Sequence, residues 1–283
     1  SRDGISFINR KGKAQWNSSY QIQNPIVSVK GDSAAIADKG GNDIFVFRKN
    51  GLKGEIHANF PVQKIAVSSQ GIVSAVLKDE TTSQIVCYDA AGNVLVGHKT
   101  TAASTGYPLD IDISDNGYML LVSYVIIEDG AVAGRVAYYN FGEEGQGKDN
   151  NLVMEETYKD AVIPTVFFMN DEVSVIVTDG ALVFYTGKET PEKSATINME
   201  NGIKSVFHND KFVGVVFASN NKNNVRLYNV DGKQILSETF EGEYNNIKIE
   251  KNQIIMFDGK MCNIIGKNGV NKFQGELESD IMD

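Results

Sequence analysis

Short apolar runs alternate along this chain with clusters of Gly, Asn, Asp and Ser. "IVSV", "IFVF", "SVIV", "ALVF", "VGVVF" and "QIIMF" are each bounded by such clusters. No run carries apolar residues at helical spacing over ten or more positions, so the pattern predicts strands and little or no helix. Residue usage points the same way, with 28 Val and 26 Ile against 11 Leu. β-branched side chains pack well on pleated surfaces and lose rotamer freedom in helices.

The pattern also repeats. A strand with an aromatic near its end runs into a tight turn closing on glycine, and a more polar strand follows. The copies are "ISFINRKGKAQW", "IFVFRKNGLKGEI", "IVCYDAAGNVLV", "VAYYNFGEEG", "LVFYTGKE", "VRLYNVDGKQIL" and "CNIIGKNGVNKF". Their glycines, Gly12, Gly51, Gly92, Gly142, Gly187, Gly232 and Gly269, are separated by 39, 41, 50, 45, 45 and 37 residues. A period near 40 with several short strands per unit predicts a β-propeller, whose blades bury one another's faces. Seven turns predict a single all-β domain over 1–283, a seven-bladed β-propeller of four-stranded antiparallel blades.

Within each blade the strands are a to d, with the recurrent glycine in the c–d turn. An a–b hairpin precedes the turn: "KIAVSSQGIVSAVL", "DIDISDNGYMLLVSY", "TVFFMNDEVSVIV", "SVFHNDKFVGVVF" and "IKIEKNQIIMFD". This places blades at 24–60, 61–106, 107–160, 161–200, 201–242 and 243–278. Residues 1–23 supply only a c–d pair, and "SDIMD" at 279–283 is the candidate a strand for that blade. Joining strands from both ends would remove exposed edges, although no segment offers the b strand.

Composition narrows the function classes. The 283 residues are 42% hydrophobic and 22% charged, enough for a true core. A formal net charge of −9 argues against nucleic acid as a partner, because no large cationic footprint exists to release counterions. Cys87 and Cys262 are far apart and share no metal-ligand spacing, so both read as small buried hydrophobes. The longest apolar run, "YMLLVSYVII", is about half of what a membrane span requires. The first residue is Ser1 rather than Met, so any anchor would lie upstream.

"DIDISDNGYMLL" (residues 110–121) is the stretch most like a calcium loop. Asp110 and Asp112 occupy the first and third ligand places, but Asp115 stands where the glycine belongs and Leu121 where the bidentate Glu belongs. It therefore reads as a strand with one acidic face followed by a Ser-Asp-Asn-Gly turn. Aligning the a–b hairpins puts Ser28, Ala66, Asp112, Val166, Ser205 and Lys248 at one position of the innermost strand. Asp110, Asp112, Ser205 and Lys248 are accordingly the candidate ligand contacts at the channel mouth, with Asp112 and Lys248 able to pair through water. His57, His98 and His208 fall at unlike positions and read as surface residues; no H-E-x-x-H or His–carboxylate spacing accompanies them and no G-x-S-x-G element supports a triad, although a triad's members need not be neighbours in sequence. "GEEGQGKDNN" (142–151) lacks phosphate-loop spacing and reads as a flexible insertion in the fourth blade. With "IEDGAVAG" (127–134) it makes that blade the longest, a place where recognition loops occur.

The units "IVCYDAAGNVLV" and "VRLYNVDGKQIL", with "DISDNGYMLLVSY" as the hairpin, resemble WD40-like and quinoprotein-dehydrogenase-like propellers. The whole chain resembles an uncharacterised Firmicutes family of such domains, of the DUF5711 type. That resemblance implies a propeller on the extracellular face of a Gram-positive cell membrane, held by an upstream membrane-spanning helix. Quinoprotein enzymes carry a tryptophan-docking motif in each blade and an adjacent cysteine pair beside quinone and calcium. Here Trp16 is the single tryptophan and the cysteines lie apart, so no cofactor is expected. The expected function is a non-catalytic, monomeric binding or scaffolding module for a protein or glycan. The alternatives are a hydrolase or lyase with a polar site at the channel mouth, and an intracellular adaptor.

Overall fold

A computed structural model describes residues 3–9, 11–80, 82–100, 105–128, 130–219 and 222–281. It consists of strands apart from two short 3₁₀ turns, Glu143–Gly145 and Asp149–Asn151. The first sheet holds β1 (Gly4–Ile8) and β2 (Ala14–Ser19). The second holds β3 (Pro25–Lys30), β4 (Ser33–Asp38), β5 (Asp43–Arg48) and β6 (Gly51–His57). The third holds β7 (Val62–Val67), β8 (Val73–Lys78), β9 (Ser83–Tyr88) and β10 (Val94–Thr100), and the fourth β11 (Tyr107–Ile113), β12 (Met119–Glu128), β13 (Ala131–Asn140) and β14 (Leu152–Lys159). The fifth holds β15 (Thr165–Phe168), β16 (Val173–Val177), β17 (Ala181–Thr186) and β18 (Glu192–Asn198). β19 (Ser205–His208), β20 (Phe212–Ser219), β21 (Lys222–Asn229) and β22 (Gln234–Phe240) make the sixth. β23 (Asn246–Glu250), β24 (Gln253–Asp258), β25 (Met261–Gly266) and β26 (Asn271–Glu276) make the seventh. Each complete sheet is a meander in sequence order, the arrangement of a seven-bladed β-propeller.

By its contacts the chain divides into two compact units. One runs to Asp171 and includes Gly187–Pro191; the other comprises Glu172–Thr186 and the chain from Glu192 onward. In the first unit, Tyr20, Ile22, Ile36 and Phe47 form a core between the first and second sheets. Ile44, Val46, Val67, Val73 and Leu77 do so between the second and third, and Ile85, Ile111, Ile113, Leu120 and Val122 between the third and fourth. In the second unit, Phe207, Val225, Leu227, Ile254 and Met256 fill the space between the sixth and seventh sheets. In each of these four pairs apolar residues of one sheet are buried against its neighbour.

The recurrent glycine has two causes. In the turns at Asn9, Asp89 and Asn229, the first residue's side-chain oxygen accepts two backbone N–H bonds, and its carbonyl accepts from the glycine three residues on. Gly12, Gly92 and Gly232 have φ of 74°, 87° and 73°, the left-handed conformation that glycine adopts without steric cost. A β-bulge follows on the c–d pair in each case. The second cause is packing: a Cβ on Gly232 would lie 2.9 Å from Ala195 Cβ, and one on Gly269 2.6 Å from Glu238 Oε1. Both contacts are to the d strand of the preceding sheet; the Ala195 Cβ cannot move aside for a side chain at Gly232, whereas the Glu238 carboxylate can swing away from one at Gly269.

Three features differ from the sequence reading. The first sheet has two strands, because residues 279–281 form none: the tail is tied along the β24–β25 turn by Leu277 N–H to Lys260 O and Ile281 N–H to Gly259 O. Residues 282 and 283, the rest of the expected a strand, lie outside the described residues. Gly142 has φ −84° and is not a left-handed turn residue. The insertion after it is also not a loose loop. It folds into the two 3₁₀ turns, held by Asn140 Oδ1 accepting from Gly142 N–H and Asn151 Nδ2 donating to Gly145 O.

Candidate functional site

The four candidate residues fall into two groups, one in each compact unit. Asp110 and Asp112 lie on one face of β11, where strand alternation puts them, and both are engaged by protein. Lys30 Nζ, from β3, donates to both Asp112 oxygens at 2.9 Å and also to the carbonyl of Ile113. Lys64 Nζ, from β7, donates to Asp110 Oδ1 at 2.7 Å. The other sides of the carboxylates take backbone donors from β15: Val166 N–H to Asp110 Oδ2 at 3.0 Å and Phe168 N–H to Asp112 Oδ2 at 2.7 Å.

An a strand is the edge of its sheet, so its outward N–H groups need acceptors. The aspartates supply them to β15, and Ser28 Oγ does the same for Val67 N–H in β7. These residues act as struts between consecutive a strands. Burial holds the Asp110 carboxyl above its ordinary value, opposed by Lys64 and by the N–H groups of Val166 and Ile111. Within its own unit Asp112 pairs with Lys30, a residue that the hairpin alignment does not single out.

The turn after β11 is closed by its own side chains. Gly117 N–H reaches Ser114 O, Ser114 Oγ accepts from Met119 N–H, and Asn116 Oδ1 accepts from Tyr118 N–H. Asp115 O accepts from Ser69 N–H. No group of three or more His, Cys, Asp or Glu side chains among the described residues could hold a metal ion.

Ser205 and Lys248 belong to the second unit, where they share a cleft of about 590 Å³ between β19 and β23. Both are exposed. Its walls also include Lys204, Asn223, Glu243, Tyr244, Asn245, Asn246 and the rings of Phe240 and Phe257. Lys204 Nζ donates to Asn223 Oδ1 at 3.0 Å, and Asn223 Nδ2 donates to Gly242 O at 2.9 Å, which fixes that amide. Lys248 Nζ sits 5.0 Å from the centre of the Phe257 ring, and the rings of Phe240 and Tyr244 are 6.0 Å apart. Sequence alignment of the hairpins finds Ser205 and Lys248. It misses Tyr244 and Asn245, which sit in the link between two sheets and carry no repeat signal.

A protein-family model matches residues 1–283 of this chain. The chain belongs to the family of unknown function DUF5711. Solved structures similar to this DUF5711 chain match it at low identity, a β-propeller domain and a WD40 domain among them. The β-propeller domain of the Trilobed protease from Pyrococcus furiosus matches at 14% identity and TM-score 0.54, over 89% of this chain and 83% of that one. The Pan2 WD40 domain of Neurospora crassa matches at 9% and 0.53, over 86% and 74%. The acylaminoacyl peptidase of Pyrococcus horikoshii matches at 11% and 0.55 over 91% of this chain, which spans 45% of the peptidase. No curated protein matches the chain by sequence.

The histidines of the DUF5711 chain divide. His57 is exposed and 2.7 Å from Asp43, and His208 is exposed. His98 differs from the surface reading: it lines a cleft of about 270 Å³ and stacks on Tyr139, ring centres 5.0 Å apart. Burial lowers its pKa below the usual 6.5, opposed by the Asn150 side chain and the charge of Asp149. A base with a depressed folded-state value contributes stability that is full above about 6.5 and lost as pH falls through that lower value. His98→Gln is therefore expected to flatten the fall in urea midpoint on acidification below pH 6.5. A slope equal to that of the parent would remove His98 as its cause.

Proposed function

We propose that this protein is a non-catalytic binding module whose second unit takes a glycan in the cleft between β19 and β23. The observation that carries this is the lining of that cleft. Primary amides from Asn245 and Asn246, each able to donate and accept, sit with the hydroxyl of Ser205 and the ammonium group of Lys248, beside a Lys204–Asn223–Glu243 chain of hydrogen bonds. Tyr244 and Phe240 add aromatic surface. Vicinal hydroxyls of a sugar match amide pairs, and the C–H face of the ring matches an aromatic wall. Placement of this module outside the cell on an anchored protein belongs to the same proposal. An encoded upstream sequence without an apolar run of about 20 residues would overturn that placement.

The test is a panel of glycans and peptidoglycan fragments, read by saturation-transfer NMR and calorimetry. A ligand of the cleft should lose about tenfold in affinity with Tyr244→Ala and with Lys248→Ala, equivalent to about 1.4 kcal/mol each. Silence across the panel would sink the glycan reading, and binding indifferent to both changes would move it out of the cleft.

A further inference from the structure

We propose that the cleft beside His98, between the third and fourth sheets of the first unit, is a second binding site, for a zwitterion of amino-acid size. It shares no residue with the cleft of the second unit. Strand alternation builds its floor. Tyr124, Arg135, Ala137, Tyr139 and Glu155 share one face of the fourth sheet, with Tyr124 opposite Arg135 and Glu155 opposite Ala137. Ala137 offers only a methyl group between Arg135 and Tyr139, which leaves the space of about 270 Å³. His98, from β10, forms the facing wall and stacks on Tyr139.

The insertion of the fourth sheet supplies the rim. Its second 3₁₀ turn brings Asp149 and Asn150 to the cleft, and Asn151 fixes that turn through its N–H to Lys148 O and its Nδ2 to Gly145 O. The inserted residues thus finish a wall rather than hang from the surface.

The polar groups around this space are incompletely matched by protein. Both ring nitrogens of His98 are buried, and among the described residues neither has a partner at hydrogen-bond geometry; the Asn150 side chain acts on the ring without meeting that geometry. Arg135, half-buried, and Glu155, exposed, form no ion pair among the described residues. Both charges nonetheless act on the Tyr124–Tyr139 hydroxyl pair, whose oxygens are 2.9 Å apart. Burial raises the two tyrosines above their ordinary value; Arg135 opposes that rise and Glu155 adds to it.

The chemistry of the ligand follows from these charges. A carboxylate matches the fork of the Arg135 guanidinium, and an ammonium group matches Glu155 with Asp149. A plain anion would meet those two carboxylates and a plain cation would meet Arg135, so one molecule carrying both signs fits best. The cleft lies below the range of about 300–1,000 Å³ that holds drug-sized ligands, which confines the occupant to a small molecule.

His57, His98 and His208 are the only histidines, so ring signals in histidine-labelled protein give a direct readout by NMR. Among the common L-amino acids, at least one should move the His98 signals saturably and leave those of His57 and His208 in place. Its amide and its N-acetyl derivative, each lacking one charge, should bind about tenfold more weakly or worse. Arg135→Gln should bind the acid and the amide alike, and Glu155→Gln should bind the free and the acetylated amine alike with an unchanged melting temperature. Should Arg135→Gln fail to fold, the comparison of derivatives on the parent protein decides alone. Silence of His98 toward every amino acid at millimolar concentration, or equal binding of acid and amide to the parent, would overturn the proposal. A shift at His57 or His208 without one at His98 would overturn it as well, by placing the ligand elsewhere.

Discussion

Asp112→Ala should destabilise the protein by about 3–5 kcal/mol in urea unfolding. Lys30 and Asp112 are only 15% and 14% exposed, so removing the carboxylate leaves a largely buried ammonium group without its counter-charge. It also deprives the Phe168 N–H of its acceptor. The two losses can be separated. Asp112→Asn retains an acceptor for Phe168 but not the charge, and combining it with Lys30→Met removes the stranded cation. The double variant should recover at least half of the loss, because a buried pair contributes little net stability while one broken member costs much. A penalty below about 1 kcal/mol for Asp112→Ala would mean that water reaches Lys30 and that the strut carries no load.

Gly54→Ala should cost about 3 kcal/mol, at the upper end for an overpacked site. Gly54 lies on β6, and an added Cβ would run into the carbonyl oxygen of Ala90 in the next sheet's c–d turn. That obstacle is backbone held by hydrogen bonds to Asp89, so no side-chain rotation relieves it. Gly97→Ala, on the following d strand, is the matched control, since a Cβ there meets nothing within 4 Å. Its urea midpoint should stay close to that of the parent, and equal effects at the two positions would show that strand propensity, not the close approach, sets the cost.

The candidate sites show how far the hairpin alignment carries. It places Ser28, Ala66 and Asp112 at one level, and therefore Lys64 and Asp110 at a common level two residues earlier on neighbouring sheets. The Lys64–Asp110 pair could have been read from that register. Lys30 could not, because it reaches Asp112 from the second sheet to the fourth, where the intervening strand offers only Ala66. The cleft of the second unit was half legible. Ser205 and Lys248 come from repeated positions, whereas Tyr244 and Asn245 come from an unrepeated link.

The sequence by itself determined the strands, their order within each sheet and the turns between them. These depend on two-residue alternation, on an Asx side chain bonding two nearby N–H groups, and on glycine's access to positive φ, all decided within a dozen residues. Only the tertiary structure decided which charges meet, that His98 is half-buried in a cleft and which apolar face stays open. Val27 and Val29 have the same local pattern as Val67 and Ile113; they differ solely in whether another sheet covers them. Burial and edge pairing belong to surfaces brought together from distant parts of the chain, and no local pattern records them.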